Sequence, residues 1–351
     1  MVDVKFWSGR RVFLTGHTGF KGAWMALLLR SLGAEVYGFA LPPEHGAGLF
    51  TVGGVENDVH HVVGDVRDLA HLSAAVQTAR PDVVIHMAAQ SLVRLSYADP
   101  VRTFATNVMG TVNLLEAVRR CPDVRAALIV TSDKCYENLD WAMAYRETDK
   151  LGGHDPYSSS KACAEIVTAA YRTSFFTKPG QAAVASVRAG NVFGGGDWAT
   201  DRLIPDAMRA FGVDKTLSIR NPHAVRPWQH VFDVVLAYLE LAELLVRDGH
   251  AYAEPWNIGP SIDHEVPVST IVDSVTRLWG GKAAWSQDGG QHPHESKFLR
   301  LDCSKAYARF GWRSRIKLED GLKLTVAWYR AAAEQGADMR AFSKRQVAKF
   351  V

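Results

Sequence analysis

Arg11-Val12-Phe13-Leu14-Thr15-Gly16-His17-Thr18-Gly19-Phe20-Lys21-Gly22, running on into Ala23-Trp24-Met25-Ala26-Leu27-Leu28-Leu29, is the stretch on which the fold turns. A short apolar run, too short for a buried helix, precedes glycines spaced G-x-x-G-x-x-G. A helical pattern follows them. Glycines there permit a tight turn and let backbone amides approach a pyrophosphate. The helix N-terminus adds its partial positive charge. A glycine trio alone is a weak signal, and the alternative is an ordinary βα turn. The strand before and the helix after make it a dinucleotide cradle, with Gly16, Thr18, Gly19, Phe20, Lys21 and Gly22 as its lining.

The same alternation continues outward. Arg11–Thr15, Glu35–Ala40, His60–Gly64, Val83–Met87 and Ala126–Ser132 read as buried parallel strands. Lys21–Leu32, Leu69–Ala79 and Pro100–Arg120 read as the helices between them, Tyr157–Phe175 as a further long helix, and Ala182–Arg188 as a sixth strand. Strict alternation predicts an α/β fold: a Rossmann-type, doubly wound parallel sheet. Beyond Arg188 the pattern is irregular, broken by Gly194–Gly196, Pro205, Pro222, Pro227 and Pro260. The expected organisation is a dinucleotide-binding domain over 1–190, with 225–255 packing back on it, and a smaller, discontinuous C-terminal substrate lobe from 191–224 and 256–351.

Composition narrows the function classes. The 351 residues carry 40 basic and 37 acidic side chains, a formal charge of +3 that gives no case for nucleic acid. Cys121, Cys135, Cys163 and Cys303 are scattered without paired spacing, as in a reduced, cytoplasmic protein. The N-terminus lacks the apolar run of a signal peptide, and no uninterrupted apolar window of about 18 residues suggests a membrane span.

The second strand ends Tyr37-Gly38-Phe39-Ala40-Leu41, without the usual ribose-binding acid and without an Arg for a 2′-phosphate. The balance favours NAD over NADP. Asp65, beside Val66, is either an acceptor for the adenine amino group or a turn carboxylate. Ala88, Ala89 and Gln90 end the fourth strand, the first two small enough to let a cofactor lie across the sheet edge.

Tyr157-Ser158-Ser159-Ser160-Lys161 places a phenol and an ammonium at i and i+4, on one helix face. A nearby cation is expected to lower the Tyr157 pKa and equip it as a base for a sugar hydroxyl. Asn107 either positions Lys161 through water or backbone or is a surface polar residue. The fifth strand ends in Ser132-Asp133-Lys134. Hydride transfer needs only the hydroxyl. The Asp and Lys are surplus to it and would supply an acid and a base for a second reaction, unless they form a surface turn.

These motifs together resemble the extended short-chain dehydrogenase/reductase family, and within it the nucleotide-sugar 4,6-dehydratases of the CDP-glucose branch. The similarity runs from Gly16 to about Trp328. It is carried by GHTGFKG at Gly16–Gly22, HMAAQSLVRLSY at His86–Tyr97, TNVMGT at Thr106–Thr111, TSDKCY at Thr131–Tyr136, DPYSSSKACAE at Asp155–Glu165, RAGNVFGGGDW at Arg188–Trp198, RNPHAVRPWQHV at Arg220–Val231 and HPHES at His292–Ser296. The resemblance implies that Tyr157 deprotonates O4, with Lys161 beside it, while NAD takes the hydride from C4. Ser132 holds O4, Lys134 or a water removes the C5 proton, and Asp133 protonates the departing C6 hydroxyl. Related dehydratases carry Glu where this chain has Lys134. The resemblance further implies a homodimer, a role in deoxysugar and O-antigen biosynthesis, and substrate contacts from Ser91, Arg94, Asn191, Arg202, Arg226, Asn257 and His294. His292 and His294 lack a third ligand nearby, and no metal is expected. An epimerase or reductase of the same fold is the alternative.

Overall fold

The computed structural model describes residues 2–261, 264–290 and 299–351. The strands are β1 Arg11–Thr15, β2 Glu35–Ala40, β3 His60–Val63, β4 Val83–His86, β5 Ala126–Val130, β6 Ala183–Ala189, β7 Asn191–Phe193, β8 Leu217–Ile219, β9 Val225–His230, β10 Pro255–Ile258, β11 Glu265–Pro267 and β12 Trp285–Gln287. Seven of them form one sheet in the order β3-β2-β1-β4-β5-β6-β10, every pair parallel. Strand order reverses between β1 and β4, so a crevice opens at their carboxyl ends.

Central strands are buried on both sides, as their unbroken apolar runs require; β4, β5 and β6 have no exposed residue. One face packs against the helices Phe20–Ser31 and Val231–Asp248, the other against Leu69–Ala79 and Gly110–Arg119. His60–Val63 departs from expectation. It is an edge strand flanked by β2 alone, and Val63 is 52% exposed. Its apolar pattern gives no sign of its position in the sheet.

Two boundaries also move. β10 joins the main sheet through Ile258, past the expected limit at 255. The C-terminal helix Met339–Val347 packs against Phe20–Ser31, with Arg340 2.7 Å from Asp58 and the Phe350 ring 4.6 Å from that of Phe232. This tail lies against the dinucleotide half, not in the substrate lobe, because Trp328, Met339 and Val347 share the core of Trp24 and Phe232. Pro100–Arg120, read as one helix, is Pro100–Phe104, a π-turn over Ala105–Met109, and Gly110–Arg119. Such turns often mark functional sites; this one faces Asn107 inward, where it is buried.

Among the buried histidines, His17, His86 and His230 are each no more than 3% exposed. Burial pushes all three down to about 3, with His61 adding to the effect at His17 and Lys161 at His86. The unfolded chain therefore binds protons between about pH 6.5 and 3 that the folded chain does not. Stability is expected to rise with pH through that window and fall as the solution is acidified. Each group contributes a slope of up to about 1.4 kcal/mol per pH unit. Urea unfolding at successive pH values between 4 and 7, at constant ionic strength, reads this directly; a flat profile would mean these rings are not held neutral.

Candidate active site

The crevice floor is built by the close approach of two strand ends. Gly16 has φ +73°, and a Cβ there would lie 2.7 Å from the Ala88 nitrogen. The Thr15 hydroxyl accepts from Met87 N and Ala88 N at 3.1 and 3.2 Å, tying β1 to β4. Helix Phe20–Ser31 begins at Gly19 with no side-chain cap. The first-turn amides, at Phe20, Lys21 and Gly22, have no intrahelical acceptor, which suits a bound pyrophosphate. Ala88 and Ala89 are half-buried along the same edge. These features fit a dinucleotide cofactor.

Other expected cofactor residues are committed elsewhere. Thr18 donates to Leu41 O at 2.9 Å. Asp65 caps a turn, accepting from Arg67 N at 2.9 Å and pairing with its guanidinium at 2.5 Å; of the two roles weighed, the structure displays the turn. Val66 is buried, its carbonyl accepting from Asn113. The Gln90 side chain bonds Thr103 and Leu92. Asn107 accepts from Gln90 N and donates to Gln90 O and Ser160 Oγ, all at 2.8–2.9 Å. It braces the strand end and the catalytic helix and does not bond Lys161.

His17 escaped the sequence reading. Its ring fills the space where a Gly38 Cβ would stand, 2.5 Å away, and its Nε2 lies 2.6 Å from His61 Nδ1. An imidazole thus covers β2 near the place where an acid would ordinarily bind the ribose. Only tertiary packing of β1 on β2 and β3 brings these rings together.

The residues expected to be catalytic lie just past the end of β5 and in the first turns of one helix. Asp155 caps the helix Pro156–Phe175, accepting from Ser158 N and Oγ, which fixes Tyr157 in the first turn. The Ser132 hydroxyl lies near the Tyr157 phenol and favours its ionised form. Ser132 Oγ donates to Asp133 Oδ1 at 3.0 Å and accepts from Lys134 N at 3.2 Å. Asp133 is 2% exposed, and its Oδ2 has no partner among the described residues. A surface turn is excluded. Lys134 is half-buried. Lys161 Nζ donates to Val130 O at 3.2 Å.

One expectation is reversed. Burial pushes the Tyr157 phenol up to about 12, with the Ser132 bond and the Arg202 charge opposing and Asp133 reinforcing the rise. Lys161 does not offset it. Burial and the Lys21 charge bring Lys161 itself down to about 7, and its ammonium is directed at a backbone carbonyl. Lys21 is lowered to about 8 by burial and by Arg202, with Asp133 and Asp197 opposing. Three basic side chains are thus within electrostatic reach of one another, Lys161 feeling Lys21 and Lys21 feeling Arg202, while Arg202 alone of the three acts on the phenol.

On the substrate side, Arg202 pairs with Asp197 at 2.8 Å and donates to Ser91 Oγ at 3.0 Å. This places Ser91 and Arg202 beside Tyr157, with Asp197, unremarked in the sequence, as the anchor. Arg94 pairs with Asp201 at 2.8 Å and is half-exposed. Asn191 opens β7 opposite Trp228, and Arg226 lies on β9. Asn257 is a correction: it is fully buried, accepts from Tyr136 OH at 2.7 Å, and donates to Tyr145 O and Asp302 O. Its bonds hold the loops behind the site, leaving it no reach toward a substrate. His294 lies outside the described residues.

A parallel Rossmann sheet with a glycine cradle and a Tyr-x-x-x-Lys pair at its carboxyl edge defines an extended short-chain dehydrogenase/reductase. The chain belongs more narrowly to the nucleotide-sugar 4,6-dehydratase family, since residues 13–325 match the family model described as GDP-mannose 4,6 dehydratase. It is 46% identical, over 100% of its length and 99% of the relative's, to the CDP-glucose 4,6-dehydratase of Salmonella typhimurium. It is 28% identical, over 90% of its length and 92% of the relative's, to a dTDP-glucose 4,6-dehydratase of Xanthomonas campestris. Among solved structures it resembles the dTDP-glucose 4,6-dehydratase of Bacillus anthracis in complex with NAD, at TM-score 0.76 and 26% identity over 91% of this chain and 96% of that one. The enzyme of the same name from Streptomyces venezuelae, also with NAD bound, matches at TM-score 0.77 and 25% identity over 91% and 97%.

Proposed function

We propose that this chain dehydrates CDP-D-glucose to CDP-4-keto-6-deoxy-D-glucose with NAD as a recycled cofactor, a step in deoxysugar supply for surface polysaccharide such as O-antigen. The observation that carries the reading is Asp133: buried, bonded to the Ser132 hydroxyl beside Tyr157, and holding a carboxylate oxygen with no partner among the described residues. An epimerase or reductase of this fold has no use for an acid at that point.

Gly16–Gly22 would hold NAD, which when bound would supply an acceptor for the C4 hydride and a donor of hydride to C6. Tyr157 takes the O4 proton, and Ser132 holds O4. The 4-ketone acidifies C5–H, whose proton Lys134 or a water removes. Asp133 gives its proton to the C6 hydroxyl, which leaves as water. As hydride reaches C6 a proton is returned to C5, and the O4 proton taken by Tyr157 offsets the one Asp133 gave to the leaving hydroxyl, so the net change is loss of one water. Ser91, Arg94, Asn191, Arg202 and Arg226 are the proposed contacts of the substrate, with guanidinium groups suited to its pyrophosphate. Incubation with a panel of nucleotide hexoses and NAD, followed by mass spectrometry, tests this. Loss of one water from CDP-glucose without net NADH supports it; stoichiometric NADH, or an unchanged mass with an inverted centre, overturns it.

The chain is further proposed to act as a cytoplasmic homodimer. Among the described residues no helix is long and apolar enough to cross a membrane. Tyr97, Val101, Met109 and Ile166, on the helices Val93–Ala98, Pro100–Phe104, Ala105–Met109 and Pro156–Phe175, are each more than half exposed. A second copy covering these helices would bury them. Light scattering is expected to give twice the chain mass, and charged replacements at Val101 and Ile166 should shift it to the chain mass. A parent protein of single-chain mass would refute the dimer.

A further inference from the structure

Behind the acid–base segment lies a buried polar network for which the proton transfers have no direct use. Arg188 Nη2 and Glu165 Oε2 are 2.8 Å apart, with side chains 3% and 2% exposed. Glu165 stands one helical turn beyond Lys161. Its Oε1 accepts from Thr131 Oγ1 at 2.5 Å and its Oε2 from Ser186 Oγ at 2.7 Å. Arg188 Nη1 donates to Tyr136 OH at 2.7 Å, and the guanidinium carbon sits 4.9 Å from that ring's centroid. Thr131 directly precedes Ser132, and Tyr136 follows Lys134 by two residues. One ion pair therefore grips the chain on both sides of Ser132-Asp133-Lys134.

A buried ion pair adds little stability over well-packed apolar residues of the same volume. What this one supplies is registry. Asp133 makes a side-chain bond only to its neighbour Ser132 among the described residues, and Oδ2 has no partner. Its aim is set by the backbone between Thr131 and Tyr136. The helix bearing Tyr157 and Lys161 has anchors of its own, the Asp155 cap and the Lys161–Val130 bond.

We propose that Glu165 and Arg188 are positioning residues for the elimination half of the reaction. They lock the Ser132–Lys134 segment to the catalytic helix, so that Asp133 and Lys134 meet C6 and C5 of the sugar whose O4 lies at Tyr157. The inference rests on the dehydratase reading above.

Thr131→Val and Tyr136→Phe each remove one grip and leave the ion pair whole. They avoid the uncompensated buried charge that truncating Glu165 or Arg188 would create, which threatens folding. With CDP-glucose and NAD, single-turnover oxidation at C4, which draws on this segment only through the Ser132 hydroxyl, is expected to fall by less than the product-forming step. Formation of the 4-keto-6-deoxy product should fall by roughly 10- to 100-fold, the cost of a displacement of about 1 Å at reacting groups. The double variant should be slower than either. Equal slowing of both steps, alongside a lowered Tm, would reduce the network to general scaffolding and overturn the proposal, as would unchanged kinetics in both variants. The parent enzyme separates the two claims. If it forms no dehydrated product from any nucleotide hexose, the functional reading fails first; if it dehydrates and the variants show no split, only the positioning role fails.

Discussion

Asp133→Asn is expected to oxidise C4 of CDP-glucose and then stall, with reduced nicotinamide accumulating on the enzyme in a single turnover. Asn keeps the shape of the side chain and can still accept from Ser132 Oγ, which bonds Asp133 Oδ1 at 3.0 Å. It cannot deliver a proton to the leaving C6 hydroxyl. General acid catalysis is worth roughly 10²- to 10⁴-fold, and product formation should fall by that factor while the oxidation step changes little. Rapid-scan absorbance of the reduced cofactor, followed by quench and mass spectrometry, reads both. If both steps slowed alike, Asp133 would be holding Ser132 in place. If neither changed, the dehydratase reading would lose the residue that carries it.

Tyr157→Phe should stop the reaction earlier, with no reduced cofactor formed at all. The variant keeps the ring, which is 8% exposed, and loses only the hydroxyl that lies near Ser132. The expected loss of turnover is again roughly 10²- to 10⁴-fold, with NAD affinity nearly unchanged because the glycine cradle is untouched. Lys161→Met should impair both turnover and NAD binding. Burial holds the phenol at about 12 and Lys161 near 7 in the free protein, so parent kcat/KM is expected to rise with pH from 6 to 9 as the small ionised fraction of the phenol grows. Near-parental rates in Tyr157→Phe, measured by NADH formation and by product, would remove Tyr157 from the mechanism.

Much of this was legible in the primary structure. Short β-branched runs alternating with amphipathic segments leave a parallel sheet as the only economical way to bury both faces of each strand. β1, β2 and the helix Leu69–Ala79 fall where periodicity puts them. Gly16, Tyr157, Lys161, Ser132 and Asp133 were readable because local spacing, a tight turn or one helix face, already implies their arrangement. Asn257 misled for the opposite reason. A polar residue at the carboxyl end of a strand looks the same in sequence whether it faces a ligand or, as here, the loops of Tyr145 and Asp302.

The residue pattern alone therefore determined the doubly wound fold, the glycine turn that opens its first long helix and the placing of Tyr157 and Lys161 on one helix, since each depends on periodicity or on neighbours within a few positions. Tertiary structure decided the rest. It set His60–Val63 at the sheet edge, returned the C-terminal helix to the first half, and placed His17 over Gly38 against His61. It brought Arg202 to Ser91, 111 residues away, and Arg188 to Tyr136, 52 residues away. It also raised the Tyr157 phenol where spacing had suggested lowering it. Solvation and long-range contact are properties of the packed chain, and no local pattern records how far a side chain will be removed from water or which distant charge will stand beside it.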